Sequence, residues 1–376
     1  VRGLRGEGKL LLLLILFAIP LIDVDNRGSY VYVVTYTLEN RGERPYKLGM
    51  EDRSIPLFWS SRYQRVKVLN STHRLVRKYT DEDGNLLALL DLPEEIPPGS
   101  TLTYSAAYLI EIEARPKPHI NLEEAGGLED IPERLVEEFC ISTETFTIDG
   151  EIESLANKIT ENQTTVLGMV LALIGWIREN IYYASHEVPR HPKETLKWGV
   201  GDCDDQAILL ITLCRALEIP AILQLGCVYL EDYERSRVVW DGHLELEQRD
   251  VGWHGWVLVY IPPWGWLPLD LTLKVGLDPL SCLVEAPEYG DFIAVCYNIS
   301  RSDYVGESQG ERTHVISSGI YITVQERMAV SGAPTRRRMR ITFITITATF
   351  IAAAALILAL RKRRETFNAL RRNYPR

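Results

Sequence analysis

The stretch "WGVGDCDDQAILLITLCRALEIP", Trp198 to Pro220, decides the reading of this chain. Cys203 stands among Asp202, Asp204 and Asp205, just ahead of the apolar run Ala207–Leu217. Gly201 and Asp202 form a helix-start signal, because an N-cap aspartate satisfies open backbone N–H groups. Pro220 ends the run. The pattern predicts a buried helix over 202–217 with Cys203 at its tip. A helix N-terminus carries partial positive charge. It stabilises a thiolate, and also the oxyanion formed when that thiolate attacks an acyl group. The neighbouring aspartates oppose this, so a cation must help. A lone cysteine in apolar company is commonly structural, so the argument needs a second residue.

That residue is a histidine. His254 lies in "WHGWVLVY", at the start of a strand-like run, and Asp270 lies sixteen residues on in "WLPLDLT". Adjacent antiparallel strands would set the carboxylate against the imidazole. The order nucleophile, base, orienter is the one thiol acyl chemistry needs.

Working outward, the pattern changes near residue 115. Before it, "SYVYVVTYTL" (29–38), "RYQRVKVL" (62–69), "HRLVRKYT" (73–80), "LLALLDL" (86–92) and "IPPGSTLTYSAAYLIEIEA" (96–114) read as short strands. Turns such as "DEDGN" (81–85) separate them, which predicts a β-sandwich over 28–115. "RPKPHI" (115–120) reads as a linker, because closely spaced prolines oppose helix and central strand. After it, 130–139, 152–160 and 164–183 carry helical spacing, and the apolar 166–177 predicts a packed core helix. Strand-like runs return at 221–230, 255–261, 265–273 and 291–299. Helices followed by strands predict an α+β module over 116–335. The Trp/Pro-rich "YIPPWGWLPL" (260–269) reads either as a wall of a cleft or as a strand–turn–strand with core tryptophans.

These blocks carry a resemblance. "GDCDDQAILLITLCRALEIPA" followed by "HGWVLVYIPPWGWLPLDLT" resembles the transglutaminase-like superfamily, within the papain-like cysteine enzymes. The matching features are Gly-x-Cys opening a helix, Arg-Ala-x-x-Ile-Pro-Ala closing it, His-x-Trp-Val, and Trp-x-Pro-x-Asp-x-Thr, over roughly 150–275. The preceding strands resemble the β-domain placed before this module in membrane-tethered prokaryotic members. The resemblance implies Cys203 as nucleophile, His254 as base and Asp270 as its orienter, with Trp198 a candidate second oxyanion donor. Three positions depart from the family pattern: Gly255 where Ala is usual, Leu258 where an acidic residue is common, and Glu218 where Gly precedes Ile-Pro. The expected activity is attack on an amide or isopeptide bond through a thioester, hydrolytic rather than cross-linking. The competing reading is an inactive binding or envelope-assembly module.

Composition bounds the rest. The 376 residues are 46% hydrophobic and 24% charged, a folding composition. Residues 23–335 hold 27 Lys/Arg against 49 Asp/Glu, a net −22. Nucleic acid is therefore not the expected partner, because phosphates need basic surfaces; a protein or peptide substrate is. Residues 10–22, "LLLLLILFAIPLI" behind Lys9, predict a signal anchor or signal peptide within 1–27. Ile341–Leu360 is long enough to cross a bilayer, within a tail of 336–376. Seven basic residues follow it and four precede it, which predicts a cytoplasmic C-terminus and an extracytoplasmic body.

The six cysteines show no CxxC spacing, so neither a metal nor a cofactor is expected. Asp202, Asp204 and Asp205 do not share one helical face, which argues against a calcium site. Cys282 and Cys296 are a candidate disulfide, and Asn70, Asn162 and Asn298 head N-x-S/T sequons.

Overall fold

The computed structural model describes residues 27–331, apart from 274, 275 and 277. The expected anchor at 10–22 and span at 341–360 lie outside the described residues. Among the described residues no helix is long and apolar enough to cross a membrane.

The first segment holds strands β1 (Arg27–Asn40), β2 (Tyr46–Lys47), β3 (Ser54–Pro56), β4 (Gln64–Ser71), β5 (Leu75–Thr80), β6 (Leu86–Leu90), β7 (Glu95–Ile96) and β8 (Thr101–Glu113). Helices α1 (Glu133–Phe139), α2 (Gly150–Thr160) and α3 (Val166–Asn180) follow. Next come β9 (Tyr182–Tyr183), α4 (Pro192–Trp198), β10 (Val200–Gly201) and α5 (Cys203–Ala216). The chain ends on β11 (Ala221–Val239), β12 (Leu244–Ile261), β13 (Gly265–Leu269), α6 (Ser281–Val284), β14 (Ile293–Ile299), α7 (Tyr304–Ser318) and β15 (Ile320–Val330).

One curled sheet runs through the molecule in the order β14-β11-β12-β15-β1-β8-β4, with β13 also on β12. The first segment is therefore not closed off from the second. β1 pairs with β15 along Tyr30–Asn40, and β15 in turn lies parallel to β12. A smaller sheet, β3-β6-β5, contributes Ile55, Ala88 and Leu90 to a core shared with Tyr32, Tyr108 and Ile110 of β1 and β8. Strand β8 shows why: Tyr104, Ala106, Tyr108, Ile110 and Ile112 are buried at every second position, so one face of the strand is core. The same core takes in Cys227, Val251 and Cys296 from the later strands.

The second core lies on the helical side. Helix α5 is buried at eleven consecutive residues, Asp205–Arg215. A helix apolar all round belongs inside. It packs with Val166, Leu167, Val170, Leu173, Ile174 and Ile177 of α3, the core helix expected at 166–177. On the sheet side, Leu223, Val257, Val259 and Leu269 face it.

The "DEDGN" turn does more than reverse the chain. Asp83 Oδ1 accepts from Ser300 N–H at 2.8 Å and Arg301 N–H at 2.7 Å, and Oδ2 accepts from the Ser302 hydroxyl at 2.5 Å. Asn85 pairs with Asn298 as a strand edge would, its Nδ2 donating to the Asn298 carbonyl and its Oδ1 accepting from the N–H, both at 2.8 Å. The turn thus fixes the loop that leads into α7. The disulfide expectation fails: all six cysteines are free. Cys282 belongs to the helical core and Cys296 to the other one.

Candidate active site

Strand β12 changes partners around His254. Its first part, Leu244–Arg249, pairs with β15, and its last part, Val257–Ile261, pairs with β13. Between them its other neighbour is β11, where Gly226 stands opposite His254. A Cβ on Gly226 would come within 2.2 Å of the Ala294 carbonyl and 2.8 Å of the Trp256 ring. Only glycine lets the strands close there.

Asp270 follows β13 directly, and the β12–β13 pairing brings it to His254. His254 Nε2 bonds Asp270 Oδ2 at 2.5 Å. The carboxylate is fully buried, and its Oδ1 accepts from Thr272 N–H at 2.8 Å and Leu273 N–H at 2.9 Å. Three donors converge on one buried carboxylate, as a buried charge requires. With Nε2 committed, Nδ1 is the imidazole nitrogen open to another partner. The ring stacks on Trp256, with centroids 5.9 Å apart and planes at 15°. Trp256 Nε1 donates to Glu288 Oε1 at 2.8 Å, and Arg115 Nη1 holds Oε2 at 3.2 Å.

Cys203 is half-buried at the first position of α5. The backbone N–H groups of Gly255 and Asp204 lie near enough to favour its thiolate, and Gly255 is the strand residue that follows His254. The approach is tight. A Cβ on Gly255 would stand 3.0 Å from the Asp204 Cβ, which accounts for glycine where alanine is usual.

The expected cap is replaced. Asp202 occupies the N-cap position, but its Oδ2 accepts from His186 N–H at 3.0 Å in the preceding loop. The return bond, Asp202 N–H to Asp205 Oδ2, is long at 3.4 Å. The Asp205 N–H turns instead to Asp204 Oδ1 at 3.2 Å. Burial raises the Cys203 thiol well above its ordinary range; the Asp204 charge adds to this, and the Gly255 N–H opposes it. The helix terminus alone does not produce a poised thiolate.

Asp204 is itself pushed well up, by burial first and then by Asp202, while the Tyr304 hydroxyl bonds its Oδ2 at 2.8 Å. Asp205 is pushed up to about 7, by burial and then by Asp202, against the Arg190 N–H at 2.7 Å. The three carboxylates have ligand atoms within 4.8 Å of one another. The helical-face argument against a shared site therefore fails. Asp202 has extended backbone angles, φ −88° and ψ −156°, so the helical wheel does not apply to it. Such a group shares protons or holds a hard divalent cation.

Trp198, the candidate oxyanion donor, is 63% exposed at the end of α4, with Lys197 Nζ 5.1 Å from its ring centroid. Among the described residues its indole N–H has no hydrogen-bond acceptor. The Trp/Pro stretch is a strand–turn–strand: Trp266 packs edge-on against Phe139 and Tyr260. Of the sequon residues, Asn70 and Asn162 are exposed, while the Asn298 side chain accepts from Gln224 at 2.8 Å.

Residues 153–271 match the family model of the transglutaminase-like superfamily. This segment is similar to a transglutaminase-like core. It contains Cys203, His254 and Asp270. A proposed cysteine protease from Cytophaga hutchinsonii shares the fold, with a TM-score of 0.50 at 16% identity, over 82% of this chain and 92% of that one. Two smaller overlaps are a protease assignment from Parabacteroides distasonis (10% identity, 55% and 62% covered, TM-score 0.20) and EGTA-treated LapG of Legionella pneumophila (18%, 46% and 98%, 0.28). No curated protein matches the chain.

The supporting residues Trp256, Glu288, Arg115 and Tyr304 were missed from the sequence. Trp256 sits in the His-x-Trp-Val block but was given no role, and Glu288, Arg115 and Tyr304 act through partners distant in sequence. The usable hint was Trp256 two residues beyond His254, on the same strand face.

Proposed function

We propose that this chain is an extracytoplasmic, membrane-anchored thiol hydrolase of amide or isopeptide bonds. The observation that carries the reading is the buried His254–Asp270 bond, on a strand whose next residue, Gly255, packs against the first turn of the helix that begins at Cys203. Cys203 starts as a neutral thiol. His254 Nδ1 takes its proton as the sulfur attacks the substrate carbonyl carbon. The first residue of a helix has an N–H without an intrahelical partner, so the Cys203 N–H is available to the oxyanion. The C–N bond breaks and the amine leaves with the proton from His254. Water then attacks the thioester, its proton passes to His254, and the C–S bond breaks to give the carboxylic acid and the thiol. Asp270 fixes the tautomer and stabilises the imidazolium.

The anchoring has its own support. Tyr30 stands opposite Val330, and Ser331 N–H donates to the Ser29 carbonyl at 2.6 Å. Both ends of the described chain therefore lie side by side, as two anchors in one membrane would require. Acceptor choice is tested with an isopeptide-linked peptide library and biotinylated cadaverine. Hydrolysis without amine incorporation, lost in Cys203→Ala, is the expected result. Amine incorporation makes the chain a cross-linking acyltransferase, and no turnover favours the binding-module reading.

A further inference from the structure

Asp204, the residue after Cys203, is held from two sides. On one side its Cβ packs on Gly255, the strand residue that follows His254, so closely that a Cβ there would stand 3.0 Å away. On the other side its Oδ2 accepts from the Tyr304 hydroxyl at 2.8 Å. The first turn of α5 is thus wedged between β12 and Tyr304, the first residue of α7. Tyr304 lies outside the matched segment 153–271.

Tyr304 is itself tied down. Its ring packs against the helical core, and Asp303 caps α7 by accepting from Gly306 N–H at 3.0 Å. The loop before it is gripped by Asp83 of the first segment. Besides the three bonds described above, Asp83 Oδ1 accepts from the Ser300 hydroxyl at 2.9 Å and Oδ2 from Ser302 N–H at 3.3 Å. One carboxylate therefore holds three consecutive residues. Arg215, near the other end of α5 and only 2% exposed, donates from Nη1 to the Ser300 carbonyl at 3.0 Å. The loop and the helix are fixed to each other at both ends.

A hydroxyl bonded to a carboxylate is a strong and directional contact. Asp204 is next to Cys203 in one helical turn, so a shift of its anchored side chain moves the sulfur as well. Reaction between two groups falls steeply when one is misplaced. We propose that Tyr304 is a positioning residue for the nucleophile: through Asp204 it seats the tip of α5 on Gly255 and sets Cys203 against His254, while Asp83 holds Tyr304 in place. The first segment and α7 then complete a site whose Cys203, His254 and Asp270 all lie in the matched segment. The inference rests on the Cys203–His254 pairing of the proposed hydrolase.

The test is the rate of Cys203 alkylation by iodoacetamide at neutral pH, on the full chain in detergent, read by peptide mass spectrometry. Tyr304→Phe keeps the ring and removes the bond, and should slow labelling about tenfold. Asp204→Ala should do the same. Asp204→Asn still offers an oxygen to the Tyr304 hydroxyl and removes a negative charge beside the sulfur, so it should label at least as fast as the wild type. Asp83→Ala should slow labelling about threefold. In a His254→Ala background, read at the alkaline pH where that protein labels, Tyr304→Phe should have no further effect. A wild-type or faster rate in Tyr304→Phe overturns the proposal, as does a slowing that persists undiminished in His254→Ala. Equal slowing by Asp204→Asn and Asp204→Ala assigns the effect to charge and also overturns it. A wild-type rate in Asp83→Ala overturns the part given to the first segment. Cys214, buried on the same helix, reports the fold. If it labels in Tyr304→Phe the helix has loosened, and Asp204→Ala against Asp204→Asn decides. The hydrolase reading fails separately, when wild type and His254→Ala label alike.

Discussion

The two sides of the site are built on opposite terms. On the strand side the carboxylates are well held: His254 bonds Asp270, Asp270 takes two further N–H groups, and Trp256 bonds Glu288. On the helix side the partners are in short supply. Three carboxylates crowd the Cys203 turn, and Asp202 Oδ1 is buried with no hydrogen bond. The difference teaches where each property resides. The strand side fixes geometry, and the helix side holds charge that folding alone would disfavour.

The strand side breaks most visibly at its centre. Asp270→Asn keeps the shape but leaves the imidazole without its carboxylate, and the turnover rate should fall by about 100-fold or more. Hydrolysis assays with thermal melting separate this from misfolding. A smaller effect is expected from Trp256→Phe, which keeps an aromatic ring against His254 but strands one oxygen of the buried Glu288. It should cost about 1–3 kcal/mol, read by urea unfolding.

On the helix side the expected signature is pH dependence. The folded Asp205 carboxyl titrates at about 7, above its unfolded value. Its contribution to stability is therefore complete below the unfolded pKa and is lost as pH rises toward and through 7. The wild-type Tm should fall between pH 4 and 7.5, and Asp205→Asn should flatten that fall. A wild-type Tm that rises over this range would show that a bound cation holds the cluster ionised instead.

The smallest expected effect lies at the far end of α5. Glu218 has φ +61°, the left-handed region that favours glycine. Glu218→Gly should stabilise the chain by about 1 kcal/mol without changing turnover.

What the sequence revealed follows the same division. Cys203, His254 and Asp270 were legible because each sits at a local signal: a helix start, a strand start, a following strand. The wider sheet was less legible. β15 carries polar residues at Thr323, Gln325 and Glu326, and the first half of β12 reads "LELEQRD". Both lie in parts of the sheet that stay half-exposed, so apolar alternation is weak there. Helix α7 buries only Val305 and Val315 among fifteen residues and has no apolar stripe to read. The Asp202–Asp205 cluster was misjudged because a cap residue does not follow helical geometry.

The most direct test of the account is the pH profile of Cys203 alkylation by iodoacetamide, read by peptide mass spectrometry so that the six thiols are told apart. The comparison is His254→Ala. Because burial and Asp204 raise the thiol on its own, reaction at neutral pH requires the imidazole to take the proton. The account predicts Cys203 labelling below the ordinary thiol pKa of about 8.5 in the wild type, shifted to strongly alkaline pH in His254→Ala. Equal profiles in the two proteins, or a Cys203 silent in both, would contradict the thiol–imidazole pair.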